Sequence, residues 1–198
     1  MSSTYCCHAV TVYCSSSNHV HKNYLDAAKQ VGCLLAQHDY TLVFGGGNRG
    51  LMGALSAGAR SEGGRVKGII LEKFVELGVA DPEVDDMQVV ADMRSRKRAL
   101  EEAGDAYIAL PGGFGTFEEL TEIISFKQLG FHNKPIVILN VNGYFDNLLR
   151  QFDSAFAERF IETRFKNLYA AVEKASAAID IIRTYEPPLI DLKYRWPL

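Results

Sequence analysis

The chain has 198 residues, 47% hydrophobic and 23% charged, which is enough for one domain with a real buried core and excludes disorder. Its 21 basic and 24 acidic residues give a net charge of −3, without the basic excess of a general nucleic-acid or membrane-surface binder. No apolar run approaches the roughly 18–20 residues of a membrane span, and MSSTYCCHAV lacks a signal-peptide pattern, so a cytoplasmic protein is expected.

From the N-terminus onward, short β-rich apolar runs alternate with amphipathic helical runs. Strands are expected at 8–14, 40–44, 66–71, 87–90, 105–110, 135–140 and 168–172, and helices near 22–37, 50–61, 92–103, 116–130, 144–159 and 174–185. Continuous runs such as YIAL and IVIL suit strands covered on both faces. The alternation predicts an α/β fold: a single Rossmann-like domain, a doubly wound parallel sheet with helices on both faces, and 187–198 as a C-terminal tail. Ligands of such sheets sit beyond the carboxyl ends of the strands, so the strand-to-helix loops are where function is sought.

Cys6 and Cys7 just before the first strand, Cys14 at its end and Cys33 read as reduced thiols in a cytosolic chain. Neighbours on a strand face opposite ways, so Cys6 and Cys7 do not suit one metal ion, and no metal is expected there. The loop after this strand is Ser15-Ser16-Ser17-Asn18. The loop after the second is Gly45-Gly46-Gly47-Asn48-Arg49-Gly50, a G-x-G-x-x-G match with Glu72 22 residues beyond it. Alone it would suggest NAD, but it follows the second strand rather than the first, and a mononucleotide fits better.

After the fourth strand, Asp92 is a helix N-cap candidate opening the basic run Arg94-Ser95-Arg96-Lys97-Arg98. Arg94 and Arg98 share one helix face while Arg96 and Lys97 point elsewhere, so part of the run can reach the central crevice; a solvated basic turn is the alternative. The loop after the fifth strand, Pro111-Gly112-Gly113-Phe114-Gly115-Thr116, has glycines where successive N–H groups can converge on an anion, with a helix N-terminus behind them. Thr116 and Glu119 have capping-box spacing, yet a carboxylate in that first turn also lies beside the proposed phosphate. Glu118, Glu122 and Ser125 form a polar stripe opposite Phe117, Leu120 and Ile124. The apolar tail with Trp196 reads as packed on something, a second subunit being one candidate.

These motifs resemble those of the LONELY GUY family, the cytokinin-activating phosphoribohydrolases often mislabelled lysine decarboxylases. The family's PGGxGTxxE is Pro111–Glu119, its GGGxxGLMG is Gly45–Gly53, and QLGFHNKPIVILNVNGYFDNLL from Gln128 is also similar. The resemblance implies hydrolysis of the N-glycosidic bond of an N6-modified or plain adenosine 5′-monophosphate, a homodimer or larger oligomer, and no metal or organic cofactor. It implies catalytic roles for Arg96 and Glu119. It implies substrate contacts for Glu76, Lys97, Gly112, Gly113, Phe114, Gly115, Thr116, Phe117, Glu118, Ser125 in a threonine's place, Ser16, Gly46 and Gly47. The family's FCGSS stands here as Tyr13-Cys14-Ser15-Ser16-Ser17, and its MHERK as Met93-Arg94-Ser95-Arg96-Lys97. Two rival readings share the same loops: a non-catalytic nucleotide or cofactor carrier, and an NAD-dependent oxidoreductase.

Overall fold

Strands β1 (Ala9–Tyr13), β2 (Thr41–Phe44), β3 (Val66–Leu71), β4 (Asp86–Val90), β5 (Ala106–Ala109), β6 (Ile136–Leu139) and β7 (Ala170–Val172) build the sheet in the computed structural model, which describes residues 5–84 and 86–188. The helices are α1 (Lys22–Gln37), α2 (Gly50–Ser61), α3 (Glu72–Glu76), α4 (Met93–Ala103), α5 (Phe114–Leu129), α6 (Asp146–Ala157) and α7 (Ala175–Arg183). All neighbouring strands are parallel, in the order β4-β3-β2-β1-β5-β6-β7. The chain therefore builds outward from β1 to one edge, then returns to lay β5, β6 and β7 on its other side. The sheet is doubly wound, as the alternation predicts, and the winding reverses between β1 and β5.

Strand periodicity explains how one sheet serves two cores. Val10, Val12, Ala106 and Ile108 point into a layer with Val31 and Leu35 of α1, Leu55 of α2 and Ile179 of α7. Tyr13, Tyr107 and Ala109 point the other way, onto Leu100 of α4, Leu120 and Ile123 of α5, and Phe145. Only β4, at the edge, leaves much of its length exposed. No helix among the described residues is long and apolar enough to cross a membrane.

Several elements differ from the sequence-based expectation. α3 is one short turn, too brief to show a period. The helix expected from 144 begins at Asp146, because Asn142 and Gly143 take left-handed backbone angles and turn the chain first. The strand expected at 168–172 starts only at Ala170, after a 3₁₀ turn Thr163–Leu168. All four cysteines are free thiols. Most of the tail, including Trp196, lies outside the described residues.

The inward face of α5 carries Thr116, Glu119, Leu120, Ile123 and Lys127. Two ionisable groups on a buried face blur its apolar period, so the sequence stripe of Phe117, Leu120 and Ile124 captures it only in part. Lys127 is 1% exposed; its Nζ donates to the Tyr185 hydroxyl at 2.7 Å and lies 4.9 Å from that ring's centre. Burial pushes the amine down to about 8. An unfolded chain keeps this proton to about pH 10.4, so between pH 8 and 10 the unfolded state binds more protons and stability rises with pH. The full interval corresponds to roughly 3 kcal/mol. Lys127→Met should flatten that rise. Urea titrations at pH 7, 8.5 and 9.5 check it, and equal slopes for the two proteins would contradict it.

Candidate active site

The carboxyl ends of β1, β2, β3 and β5 surround a cavity of about 520 Å³ at the place where the winding reverses. Ser15, Ser16 and Ser17 form one rim, Gly45, Gly47 and Arg49 a second, and Gly113, Gly115 and Thr116 a third. Met52, Ile70, Phe74, Leu77, Val79 and Met93 supply an apolar wall, and Arg96 and Glu119 reach it from α4 and α5.

Hydrogen bonds distinguish the two glycine-rich loops. At the head of α2, Gly50 N–H donates to Asn18 Oδ1 at 2.7 Å, and Leu51 and Met52 N–H both donate to the Ser15 carbonyl at 3.0 and 3.3 Å. Those amides are consumed by the protein. Gly50 also sits at φ +57° with the Ser16–Ser17 backbone pressed against it, so its lack of a side chain serves packing. At the head of α5, Gly113 is the N-cap and forms no side-chain cap, and the N–H groups of Phe114, Gly115 and Thr116 have no acceptor among the described residues. Open amides on a 16-residue helix, facing a cavity, are what an anion requires. The dinucleotide-like loop thus braces the site, and the Pro111–Thr116 loop offers the anion cradle.

Because the helix already starts at Phe114, Thr116 and Glu119 fall inside it and the capping-box alternative does not form. Glu119 instead meets Arg96: Nη1 lies 3.4 Å from Oε1, with the two residues 6% and 9% exposed. The same guanidinium donates from Nε to the Ile69 carbonyl at 3.1 Å and from Nη2 to the Gly45 carbonyl at 3.2 Å. Arg96 therefore ties the ends of β2 and β3 to α5. Burial pushes the Glu119 carboxyl up to about 7, although Arg96 pulls the other way. Burial and the neighbouring Glu119 also raise the Cys14 thiol, which keeps its proton.

Asp92 caps α4 as expected, its Oδ1 accepting from Arg94 N and Ser95 N at 2.8 and 3.0 Å. Arg94 and Arg98 face solvent while Arg96 turns inward. Of the expected contacts, Ser16, Gly47, Gly113, Gly115, Thr116 and Glu118 line the cavity with Arg96 and Glu119. Gly46 and Gly112 are buried within the two loops.

The remaining expected contacts are placed elsewhere. Lys97 is held by Glu118 at 2.7 Å and Glu122 at 3.0 Å, outside the cavity lining. Phe114 is 92% exposed, and Phe117 packs on Tyr144 and Phe145. Glu76 ends α3 facing solvent; its neighbours Phe74 and Leu77 line the cavity instead. Ser125 lies almost two turns beyond Glu119, beside a groove with Phe152, Phe156 and Tyr169.

The part of the apolar wall contributed by Phe74, Leu77 and Val79 belongs to none of the motifs read from the sequence. Its signal is FVELGVA, an apolar stretch just past a strand's carboxyl end, held over the cavity by Asn48 N–H to the Val79 carbonyl at 3.0 Å and Asp81 N–H to the Gly46 carbonyl at 2.8 Å. No lysine lines the cavity among the described residues, so nothing there offers the Schiff base of a pyridoxal-dependent decarboxylase.

Known proteins are similar to this chain over most of its length. Residues 52–182 match a family model described as "Possible lysine decarboxylase". Cytokinin riboside 5′-monophosphate phosphoribohydrolases LOG4 and LOG7 of Arabidopsis thaliana are each 38% identical over 178 residues, 90% of this chain and 83% and 82% of theirs. Among solved structures, the molybdenum cofactor carrier protein of Chlamydomonas reinhardtii has a TM-score of 0.69 at 20% identity, over 89% of this chain and 96% of that one. That likeness shows a shared fold. The matched length and the identity together show that the chain belongs to the LONELY GUY family of phosphoribohydrolases.

Proposed function

We propose that the protein hydrolyses the N-glycosidic bond of an N6-modified or plain adenosine 5′-monophosphate, releasing the free base and ribose 5-phosphate. One observation carries the proposal: the open amides of Gly115 and Thr116 share a cavity with the Glu119 carboxyl, one helical turn further along. A 5′-phosphate held by those amides would set its ribose over Glu119 and leave its base to the apolar wall. The wall suits a purine with an apolar N6 group, in keeping with the substrate in the relatives' names.

Cleavage leaves positive charge on the sugar, as in glycoside hydrolysis. The Glu119 carboxylate, close to neutral pH in its basicity, stabilises that charge and takes a proton from the attacking water, whose oxygen bonds to C1′. The base leaves with the bonding electron pair and takes a proton from solvent, and Glu119 returns its proton to solvent, so that one water is consumed. Arg96 is too basic to supply the base's proton and instead fixes Glu119 in place.

Incubation with AMP and with isopentenyladenosine monophosphate, followed by chromatography for free base, tests the reading; release from at least one is expected. A folded sample that releases neither base overturns it. A cytosolic homodimer or larger oligomer belongs to the same reading, supported by the exposed Phe114, Phe131 and Phe160. Light scattering after gel filtration should give at least twice the chain mass.

A further inference from the structure

Tyr144 stands in the stretch that begins at Gln128, where it was given no role of its own, yet it grips the loop that offers the anion cradle. Its hydroxyl donates to the Gly112 carbonyl, 32 residues away in sequence. In a trans peptide the C=O and the following N–H point in opposite directions. Fixing the Gly112 carbonyl on Tyr144 therefore fixes the direction of the Gly113 N–H, which has no acceptor among the described residues, on a glycine that lines the cavity. The other side of Gly112 is closed by the Thr116 side chain, which occupies the space a Cβ would need.

Tyr144 is itself held in place. Asn140 accepts from Phe145 N–H with its Oδ1 and donates to Asp146 Oδ1 with its Nδ2, both at 2.7 Å, closing a rigid turn around it. Its ring lies between Phe117, Phe145 and Tyr24, at centroid distances of 6.4, 5.1 and 5.8 Å. This aromatic seat aims the hydroxyl at Gly112.

We propose that Tyr144 is the positioning residue of the anion cradle: its hydroxyl pre-orients the Gly112–Gly113 peptide so that the Gly113 N–H joins the open amides of α5 in holding the substrate's phosphate. The assignment rests on the nucleoside 5′-monophosphate reading above. It predicts a division of effects. Loss of the hydroxyl harms whatever carries phosphate and spares the base, the aromatic packing and the chemical step.

The test is Tyr144→Phe, which keeps the ring and removes only the hydroxyl. In calorimetric titrations the variant should bind ribose 5-phosphate about tenfold more weakly and free adenine within twofold of the wild type. KM for the nucleoside monophosphate should rise about tenfold with kcat within threefold, and the melting temperature should stay within a few degrees. Unchanged ribose 5-phosphate affinity overturns the positioning role, as does a parallel loss of adenine affinity, which would mark a merely structural contact. A wild-type protein that binds no ribose 5-phosphate at all overturns the substrate reading itself, and with it this assignment.

Discussion

Glu119→Gln is expected to slow base release by about 10²–10⁴-fold while leaving nucleotide binding within a few-fold. The amide keeps the shape of the carboxyl but can neither carry its negative charge nor accept a proton from water. In the unaltered protein the active form is the carboxylate, and burial pushes Glu119 up to about 7. The acid limb of kcat/KM should therefore rise between pH 6 and 8. The stability consequence has the opposite sense. A carboxyl raised by folding stabilises the native state while protonated, and that contribution is lost as pH climbs through about 7.

Glu119→Gln keeps an oxygen acceptor for Arg96 at the same place and should remain folded at pH 8, so activity is given up without loss of fold. His132, held down to about 4 by burial, acts in the reverse direction below pH 6.5, which makes pH 8 the clean point for comparison. Rates at saturating substrate and melting curves at pH 8 check both halves. A variant with wild-type turnover removes Glu119 from the chemistry.

Arg96→Met should cost both activity and stability. The substitution leaves three acceptors without their donor: the carbonyls of Ile69 and Gly45, and the Glu119 carboxyl. Breaking a buried charge pair from one side typically costs about 3–5 kcal/mol, which for a chain of this size is roughly 10 °C in melting temperature. Without the guanidinium, Glu119 also loses the largest influence holding its pKa down, so the acid limb of whatever activity remains should move above pH 7. Arg96→Lys does not rescue it, since an ammonium has no fork with which to hold three separate acceptors. Calorimetric melting and a pH–rate profile on both variants measure these effects. A melting temperature within 2 °C of wild type, with an unmoved acid limb, would show that Arg96 neither ties the loops together nor tunes Glu119.

The rival readings divide on the same geometry. An NAD-type site needs the first glycine-rich loop to present its amides to a pyrophosphate, and here Asn18 and Ser15 have already taken them. The shared fold of the molybdenum cofactor carrier shows that such a sheet can serve a carrier protein. Among the relatives 38% identical along nine-tenths of the chain, the names are those of phosphoribohydrolases.

Much of this was readable from the chain alone. Strand and helix order came from periodicity, because a strand buried on both faces must be apolar throughout, and a helix with one wet side must alternate. The loops carrying the site were readable for a related reason. A backbone that turns sharply while leaving N–H groups unpaired needs glycine, and Pro111–Thr116 has three glycines in four positions. Glu119 was visible as a residue with two possible jobs, and spacing alone could not choose between them.

The choice was made by contacts between segments far apart in sequence. Whether a glycine-rich loop binds a ligand or only braces one depends on which amides other loops have already taken, as Asn18 and Ser15 do at α2. Whether a basic residue is a solvated charge or part of the site depends on where its helix rotates it, and here Arg96 turns in while Arg94 and Arg98 turn out. Phe74, Leu77 and Tyr144 gain their places only because the sheet brings α3 and the β6–α6 turn beside β1 and β5. Local propensity and pattern, which a sequence displays directly, determined the elements and the glycine-rich loops. Hydrogen-bond competition and burial, which exist only once distant segments meet, decided what those loops and charges can do.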